Sequence, residues 1–198
     1  MPNTAWSGPA SPEQSDSSLT TSSFTTATLT DISPAPCVIP AGSMLGGTRI
    51  RLHATGNYTA TTTASALTWG FYLSPVTGIS GTASAVLCAT ASTAAVVATA
   101  WPFILDYSGV VNEASVSVNA TTGKITGQGW SLLPASLTTF TGPVPMPMTA
   151  AARTVTQSAT VTGLNTLTTL IAQLGITVAT NTGFSNVVVD ELTCELIG

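Results

Sequence analysis

The chain has one histidine, His53, and it is the first residue to test for catalysis. A histidine that is hydrogen-bonded to a serine and oriented by a carboxylate acts as the general base of acyl-transfer enzymes. The Gly-x-Ser-x-Gly turn that often carries such a serine is absent from the chain. His53 also lies beside Arg49 and Arg51 on one strand face. We therefore interpret it as part of a polar strand face or of a subunit contact.

Three carboxylates crowd the C-terminal segment: Asp190, Glu191 and Glu195. Paired carboxylates hydrolyse glycosidic bonds, and three or more oxygen ligands hold calcium. No Asp-x-Asp-x-Asp-Gly loop occurs, and charges on a strand also protect a sheet edge or pair with arginines. We favour these last roles and predict no enzyme, no catalytic residue, no metal site and no cofactor. A glycan-acting enzyme that uses these carboxylates stays as an alternative.

Basic residues are scarce, since the chain has only 4. Two of them, Arg49 and Arg51, fall on one strand face, so we expect both to have partners. Carboxylates at a subunit interface are the predicted partners, with Asp31, Asp190 and Glu191 as candidates. A phosphate or a sugar is the alternative ligand.

The four tryptophans differ in the sequence that surrounds them. Trp69 and Trp101 lie in strand patterns and are predicted to be core residues, whereas the pattern around Trp130 decides nothing. Trp6 stands alone among small residues near the N-terminus. We predict that it anchors in a pocket of a neighbouring subunit, because buried aromatic anchors dominate many interfaces.

The low charge of the chain also bears on its partners. Charged residues make up 6% of the sequence, against roughly a quarter in ordinary soluble domains. Such a surface resists aggregation poorly unless partners cover it, which indicates a protein that works in an assembly. The net charge of -4 argues against nucleic acid as a partner, since phosphates need Lys and Arg.

The sequence carries little evidence for secretion or for a membrane span. The N-terminus lacks the basic and apolar regions of a signal peptide, and no apolar run is long enough for a membrane span. Cys37, Cys88 and Cys194 are far apart and odd in number, so we predict three buried free thiols rather than a disulfide. Synthesis in a reducing cytoplasm fits this use of cysteine.

The elements that must position these residues are strands. Ile50, Leu52 and Ala54 alternate with polar residues, a period of two that is typical of a half-buried strand. Similar one-face alternation occurs in "LTWGFYL", "FILDYSGVV" and the C-terminal "NVVVDELTCELIG". The segment "LNTLTTLIAQLG" is compatible with a helical turn and with an irregular strand. About eight short strands separated by turn residues predict an all-β fold, a jelly-roll-like antiparallel β-sandwich.

Residues 1–36 differ in composition from residues 37–198. The first range is rich in Pro, Ser and Thr and includes "SSLTTSSFTTATLTD", residues 17–31. Such a segment buries too little apolar surface to fold alone. We therefore predict an extended N-terminal arm over residues 1–36 that another chain completes, and a β-sandwich domain over residues 37–198.

Several stretches carry a resemblance to a known class of proteins. The runs "IPAGSMLGGTRIRLHATGNYTA", "TWGFYL", "AARTVTQSATVTGL" and the terminal "ELIG" resemble virion proteins of tailed bacteriophages. The resemblance implies a structural virion component, often a jelly-roll homotrimer. Capsid decoration proteins and fibre heads that bind a host surface glycan are both compatible with it.

Together these observations predict a capsid decoration protein on the outer surface of the virion. Its partners would be two further copies of itself and the major capsid protein. The arm would add strands to neighbouring subunits and insert apolar anchors. The predicted assembly contacts are Trp6, Leu19, Phe24, Leu29, Ile32, Arg49, Arg51, Asp190 and Glu191.

Overall fold

The computed structural model describes ten stretches of the chain and shows strands, without a helix, in those stretches. The described residues are 17–20, 28–34, 37–60, 66–75, 85–89, 93–94, 98–132, 144–146, 160–179 and 184–198. The strands are β1 (Ser17–Thr20), β2 (Leu29–Asp31), β3 (Cys37–Ile39), β4 (Arg49–Ala60), β5 (Ala66–Ser74), β6 (Ala85–Ala89), β7 (Thr93–Ala94), β8 (Ala98–Glu113), β9 (Gly123–Leu132), β10 (Val144–Met146), β11 (Thr160–Leu164), β12 (Leu170–Val178) and β13 (Phe184–Ile197).

The strands form two antiparallel sheets. The seven-stranded sheet has the order β1-β13-β4-β8-β9-β10, with β11 also paired to β9. The six-stranded sheet has the order β2-β12-β5-β6, with β3 on β12 and β7 on β5. The pairs β1 with β13, β2 and β3 with β12, β4 with β8, and β5 with β6 are nested along the chain. This nesting is the wrapped double Greek key of a jelly roll, so the predicted all-β, jelly-roll sandwich is confirmed.

The core lies between the two sheets and follows the predicted alternation. In β4 every second residue from Ile50 to Ala60 is buried, and in β8 the buried face includes Phe103, Leu105 and Tyr107. The ring of Trp69 packs against Phe103 with the ring centroids 4.6 Å apart. Trp69 is thus a core residue, as predicted, and Trp101 packs on the core while it remains partly exposed.

A β-bulge between Val189 and Glu191 breaks the predicted alternation of the last strand. A bulge adds one residue to a strand and so shifts which side chains point inward. As a result Val187 and Val189 are buried before the bulge, Leu192 is buried after it, and Asp190 and Glu191 are both exposed. β13 lies between β1 and β4, but β1 pairs only with residues 186–189. In the described part of the chain the charged residues that follow face β4 on one side alone, so the prediction that these charges protect a sheet edge stays a prediction.

The described part of residues 1–36 pairs within its own chain. β1 lies on β13 with Leu19 opposite Val187, and β2 lies on β12 with Leu29 opposite Thr177. Ile32 is 1% exposed in the core, and its backbone N–H donates to the carbonyl of Leu174 at 2.9 Å. These residues therefore belong to the sandwich, and the expectation that another chain completes them is corrected here.

Two smaller predictions can also be compared with the structure. The segment "LNTLTTLIAQLG" forms a turn followed by β12, so it is a strand rather than a helix. Cys37, Cys88 and Cys194 are buried free thiols, as predicted. Trp6 and Phe24 lie outside the described residues.

Candidate functional site

Polar side chains and one tryptophan form a group on the solvent face of the seven-stranded sheet. We call the group of Arg51, His53, Asp106, Trp130 and Glu195 the outer-face cluster. Strand register brings it together, because His53 lies opposite Asp106, Asp106 lies opposite Trp130, and Arg51 lies opposite Glu195. Each member occupies a polar-face position of its strand, since successive side chains alternate between the two sides of a sheet.

A hydrogen bond to a carboxylate holds the histidine of this cluster in place. The Nδ1 atom of His53 lies 2.7 Å from Oδ1 of Asp106, and both side chains are more than one third exposed. A carboxylate accepts hydrogen bonds, so Nδ1–H is the donor and Nε2 is left for a ligand. Among the described residues no serine or other nucleophile is hydrogen-bonded to this ring. The arrangement therefore fixes the imidazole without completing a triad.

The cluster lines a half-open hollow of about 460 Å³. Its rim and walls come from the five cluster residues together with Ser108 and Thr193. Trp130 is 42% exposed although most large aromatic residues described are buried. The hollow thus combines one exposed aromatic face with donors and acceptors of both charges, and its size is within the range of ligand pockets.

The carboxylates that were expected to pair with the arginines lie elsewhere. Asp31 is in the six-stranded sheet, where its two oxygens accept hydrogen bonds from the backbone N–H of Ser33 and from Nε2 of Gln173. Asp190 and Glu191 lie at the bulge, and Glu191 is opposite Thr55, away from Arg51.

The neighbour that the register gives to Arg51 is Glu195. Arg49 lies between Ile197 and Val110, without a carboxylate opposite it. Neither ion pair in the described part of the chain involves an arginine. The predicted subunit contacts of these arginines and carboxylates stay predictions.

A second candidate surface is at one end of the sandwich, where three connections meet. We call residues 40–48, 114–122 and 165–169 the loop end. Three of its apolar side chains face solvent: Val116 is 83% exposed, Val118 is 62% exposed and Leu45 is 54% exposed. Glu113 and Lys124 border it and pair at 2.7 Å, so their opposite charges are matched.

Hydrogen bonds hold the loop end in a defined shape. The backbone N–H of Ser115 donates to Oγ1 of Thr166 at 2.8 Å, and Oγ of Ser115 donates to the carbonyl of Leu164 at 2.9 Å. The side-chain amide of Asn165 donates to the carbonyl of Val118 at 2.5 Å. Side-chain to backbone bonds of this kind replace the ladder of a sheet and limit loop motion.

The first of the three connections is tied to the core and to β8. Met44 is fully buried, and the backbone N–H of Gly47 donates to the carbonyl of Val111 at 2.8 Å. Gly47 has a φ of +91°, a conformation that side chains with a Cβ rarely adopt. Leu45 is thus presented from a rigid turn.

Sequence reasoning missed the outer-face cluster for a physical reason. The alternation around Phe103, Leu105 and Tyr107 does place Asp106 on the solvent face. The partner of Asp106 depends on the register between β4 and β8, however, and residues 53 and 106 are far apart in the chain. The exposure of Trp130 likewise follows from the pairing of β9 with β8.

The described residues contain no group of three or more side chains suited to hold a metal ion. Across the same stretches, no helix is long and apolar enough to cross a membrane.

Comparisons with known proteins add little. No family model matches the chain, and no curated protein matches it. Among solved structures the chain is similar to the endo-1,3-beta-glucanase from Streptomyces sioyaensis, with 9% identity and a TM-score of 0.35 over 81% of this chain and 67% of that one. A similarity of this degree carries no argument, so the fold assignment rests on the strand pairing described above.

Proposed function

We propose that the protein is a structural component of a tailed-phage virion, a decoration protein that binds the outer shell of the capsid as a homotrimer and stabilises it. The observation that carries this proposal is the loop end, where three apolar side chains are exposed on loops that hydrogen bonds hold in place. Exposed apolar groups on a rigid surface are typical of protein contact sites.

The low charge of the chain supports the same function. Burying a charge at an interface has a large desolvation cost, whereas Thr, Ser and Val surfaces are buried with less penalty. The 6% of charged residues therefore suits a protein whose surfaces are covered in an assembly. The jelly roll adds to this, because the fold recurs in viral capsid proteins.

The stabilising mechanism follows from preferential binding. A ligand that contacts several shell subunits binds the assembled shell and not the free subunits, so it shifts the equilibrium toward assembly. Three copies in one trimer make three such contacts, and each contact raises the effective concentration of the next. In this proposal the loop end takes the contact role that the sequence predicts for the N-terminal arm, residues 1–36.

The direct experiment is a sedimentation assay with shells of the phage that encodes the chain. We expect the protein to sediment with the shells and the Val116→Glu and Val118→Glu variants to bind about tenfold or more weakly, since each places a charge in the contact. Gln128→Glu is the matched control, because it adds the same charge at an exposed position of β9 outside the loop end.

The control variant should bind as the unaltered protein does. Unchanged binding by both loop-end variants would show that the shell contact lies elsewhere. Failure of the unaltered protein to bind shells would refute the decoration role itself.

A further inference from the structure

We infer that the outer-face cluster is a binding site for a neutral saccharide. This inference concerns a different surface from the loop end and does not rest on the proposed function. The hollow of about 460 Å³ and the residues that line it carry the inference.

The aromatic side of the site is Trp130. The indole of Trp130 is 42% exposed on the face of the sheet. Part of its apolar surface therefore stays in water, although an inward position would bury it and stabilise the fold. Its π face is negative, and the C–H groups on one face of a sugar ring are weakly positive, so the two pack favourably. The ring of a sugar placed on Trp130 would stand over the hollow that Asp106, the cross-strand neighbour of Trp130, also lines.

The polar side of the site provides both donors and acceptors. Arg51 offers a guanidinium group with five N–H donors, while Asp106 and Glu195 accept through their carboxylates. Sugar hydroxyls donate and accept at once, so adjacent hydroxyls can bridge such groups, and hydrogen bonds to charged groups are the stronger ones. The hydrogen bond with Asp106 orients the ring of His53 and leaves Nε2 for a further hydroxyl.

The charge balance favours a neutral ligand. His53 has Asp106 at 2.7 Å, and Arg51 has Glu195 as its cross-strand neighbour. An anionic sugar would be repelled by the carboxylates of Asp106 and Glu195, whereas the hydroxyls of a neutral sugar can donate hydrogen bonds to them. A neutral hexose or a 6-deoxyhexose meets no such repulsion.

The site is compatible with an assembled particle. The row that contains His53, Asp106 and Trp130 lies on the face of the sheet, whereas the loop end is formed by the connections at the end of the strands. A molecule that is held by its loop end thus keeps this face free for a sugar of a cell surface.

The test is a titration that is followed by amide and indole NMR signals. The probes are maltohexaose, cellohexaose, galactose, mannose, rhamnose and N-acetylglucosamine, each to about 20 mM, the range of weak binding. Glucuronic and galacturonic acid serve as charged counterparts. The chain has 4 tryptophans, and the indole signal that disappears in Trp130→Phe identifies Trp130.

We expect at least one neutral probe to shift the Trp130 indole and the Asp106 amide, and the acids to bind more weakly. Trp130→Ala should weaken binding about tenfold, whereas Trp130→Phe should keep most of it because an aromatic face remains. Asp106→Asn tests the polar side and should also weaken binding. Gln128→Ala, an exposed change on the same face outside the hollow, should bind as the unaltered protein does.

Two results would overturn the inference. One is the absence of any shift at Trp130 with every neutral probe. The other is binding that Trp130→Ala and Asp106→Asn leave unchanged, since the sugar would then be held at another place. Thermal melting of each variant confirms that the fold is intact, so a loss of binding is not a loss of structure.

Discussion

At the residue scale, burial favours the protonated form of the three cysteine thiols. Burial raises the pKa of the Cys37 thiol to about 11 and that of Cys88 to about 12, from an ordinary value of 9.0. Burial also raises the pKa of Cys194, and the nearby Cys37 and Glu195 add to this effect. A buried thiolate lacks the solvation that water would provide, so the protonated form is favoured. These cysteines are core residues without a reactive role.

The raised pKa values predict a loss of stability at alkaline pH. Above about pH 9 the unfolded chain releases thiol protons that the folded chain still holds, so the free energy of unfolding falls as the pH rises toward 11 to 12. We expect a decrease on the order of 2 kcal/mol per thiol between about pH 9 and 11, as measured by urea denaturation.

The control for this prediction is Cys88→Ala. The variant should show a smaller decrease over the same pH range, even though its stability at neutral pH is lower because of the cavity. A free energy of unfolding that stays constant up to about pH 11 would contradict the predicted proton linkage.

At the element scale, the first two strands are the elements whose observed role differs most from the role that the sequence predicts. β1 and β2 are short strands of 4 and 3 residues within a Ser- and Thr-rich stretch whose composition is that of a linker. Their positions in the two sheets depend on pairing with β13 and β12, which are distant in the chain, so local composition does not predict them. By contrast, the regular alternation of apolar residues in β4 and β8 predicts both strands and their buried faces, because half-buried strands have a local period of two.

Register is the part of the site that local patterns do not contain. A shift by one residue exchanges the two faces of a strand, so the burial of Leu52 and Tyr107 places His53 and Asp106 on the solvent face. Which outward residues become neighbours depends on contacts between distant segments. The bulge before Glu191 shifts the register by one residue, and for this reason Glu195 and not Cys194 lies opposite Arg51.

The role of β2 leads to a prediction about stability. Ile32 follows β2 and is 1% exposed in the core, whereas Leu29, at the start of β2, is only partly buried. We expect Ile32→Ala to lower the free energy of unfolding by about 2–4 kcal/mol, because it leaves a cavity. Leu29→Ala is the control and should have a clearly smaller effect.

Chemical denaturation of both variants measures this difference. If Ile32 were instead an anchor for another subunit, its replacement would weaken assembly and leave the unfolding of the isolated chain unchanged. A free energy of unfolding that Ile32→Ala leaves unchanged would therefore contradict the packing of this segment within its own chain.

At the scale of the whole molecule, the two proposed roles are assigned to different surfaces. The loop end exposes three apolar side chains on hydrogen-bonded loops and is bordered by a matched ion pair, which suits a lasting protein contact. The outer-face cluster is polar with one exposed tryptophan, which suits a reversible small ligand.

Light scattering should give a solution mass three times that of the 19.9 kDa chain for the proposed homotrimer. The single-chain mass would contradict the trimer.

The copy number and position of the protein in purified virions test the proposed function most directly. Quantitative mass spectrometry combined with cryo-electron microscopy of the particles measures both. A decoration protein is expected in three copies at each local three-fold position of the shell, with the loop end against the capsid subunits. A few copies confined to the tail, or absence from the particle, would contradict the decoration role.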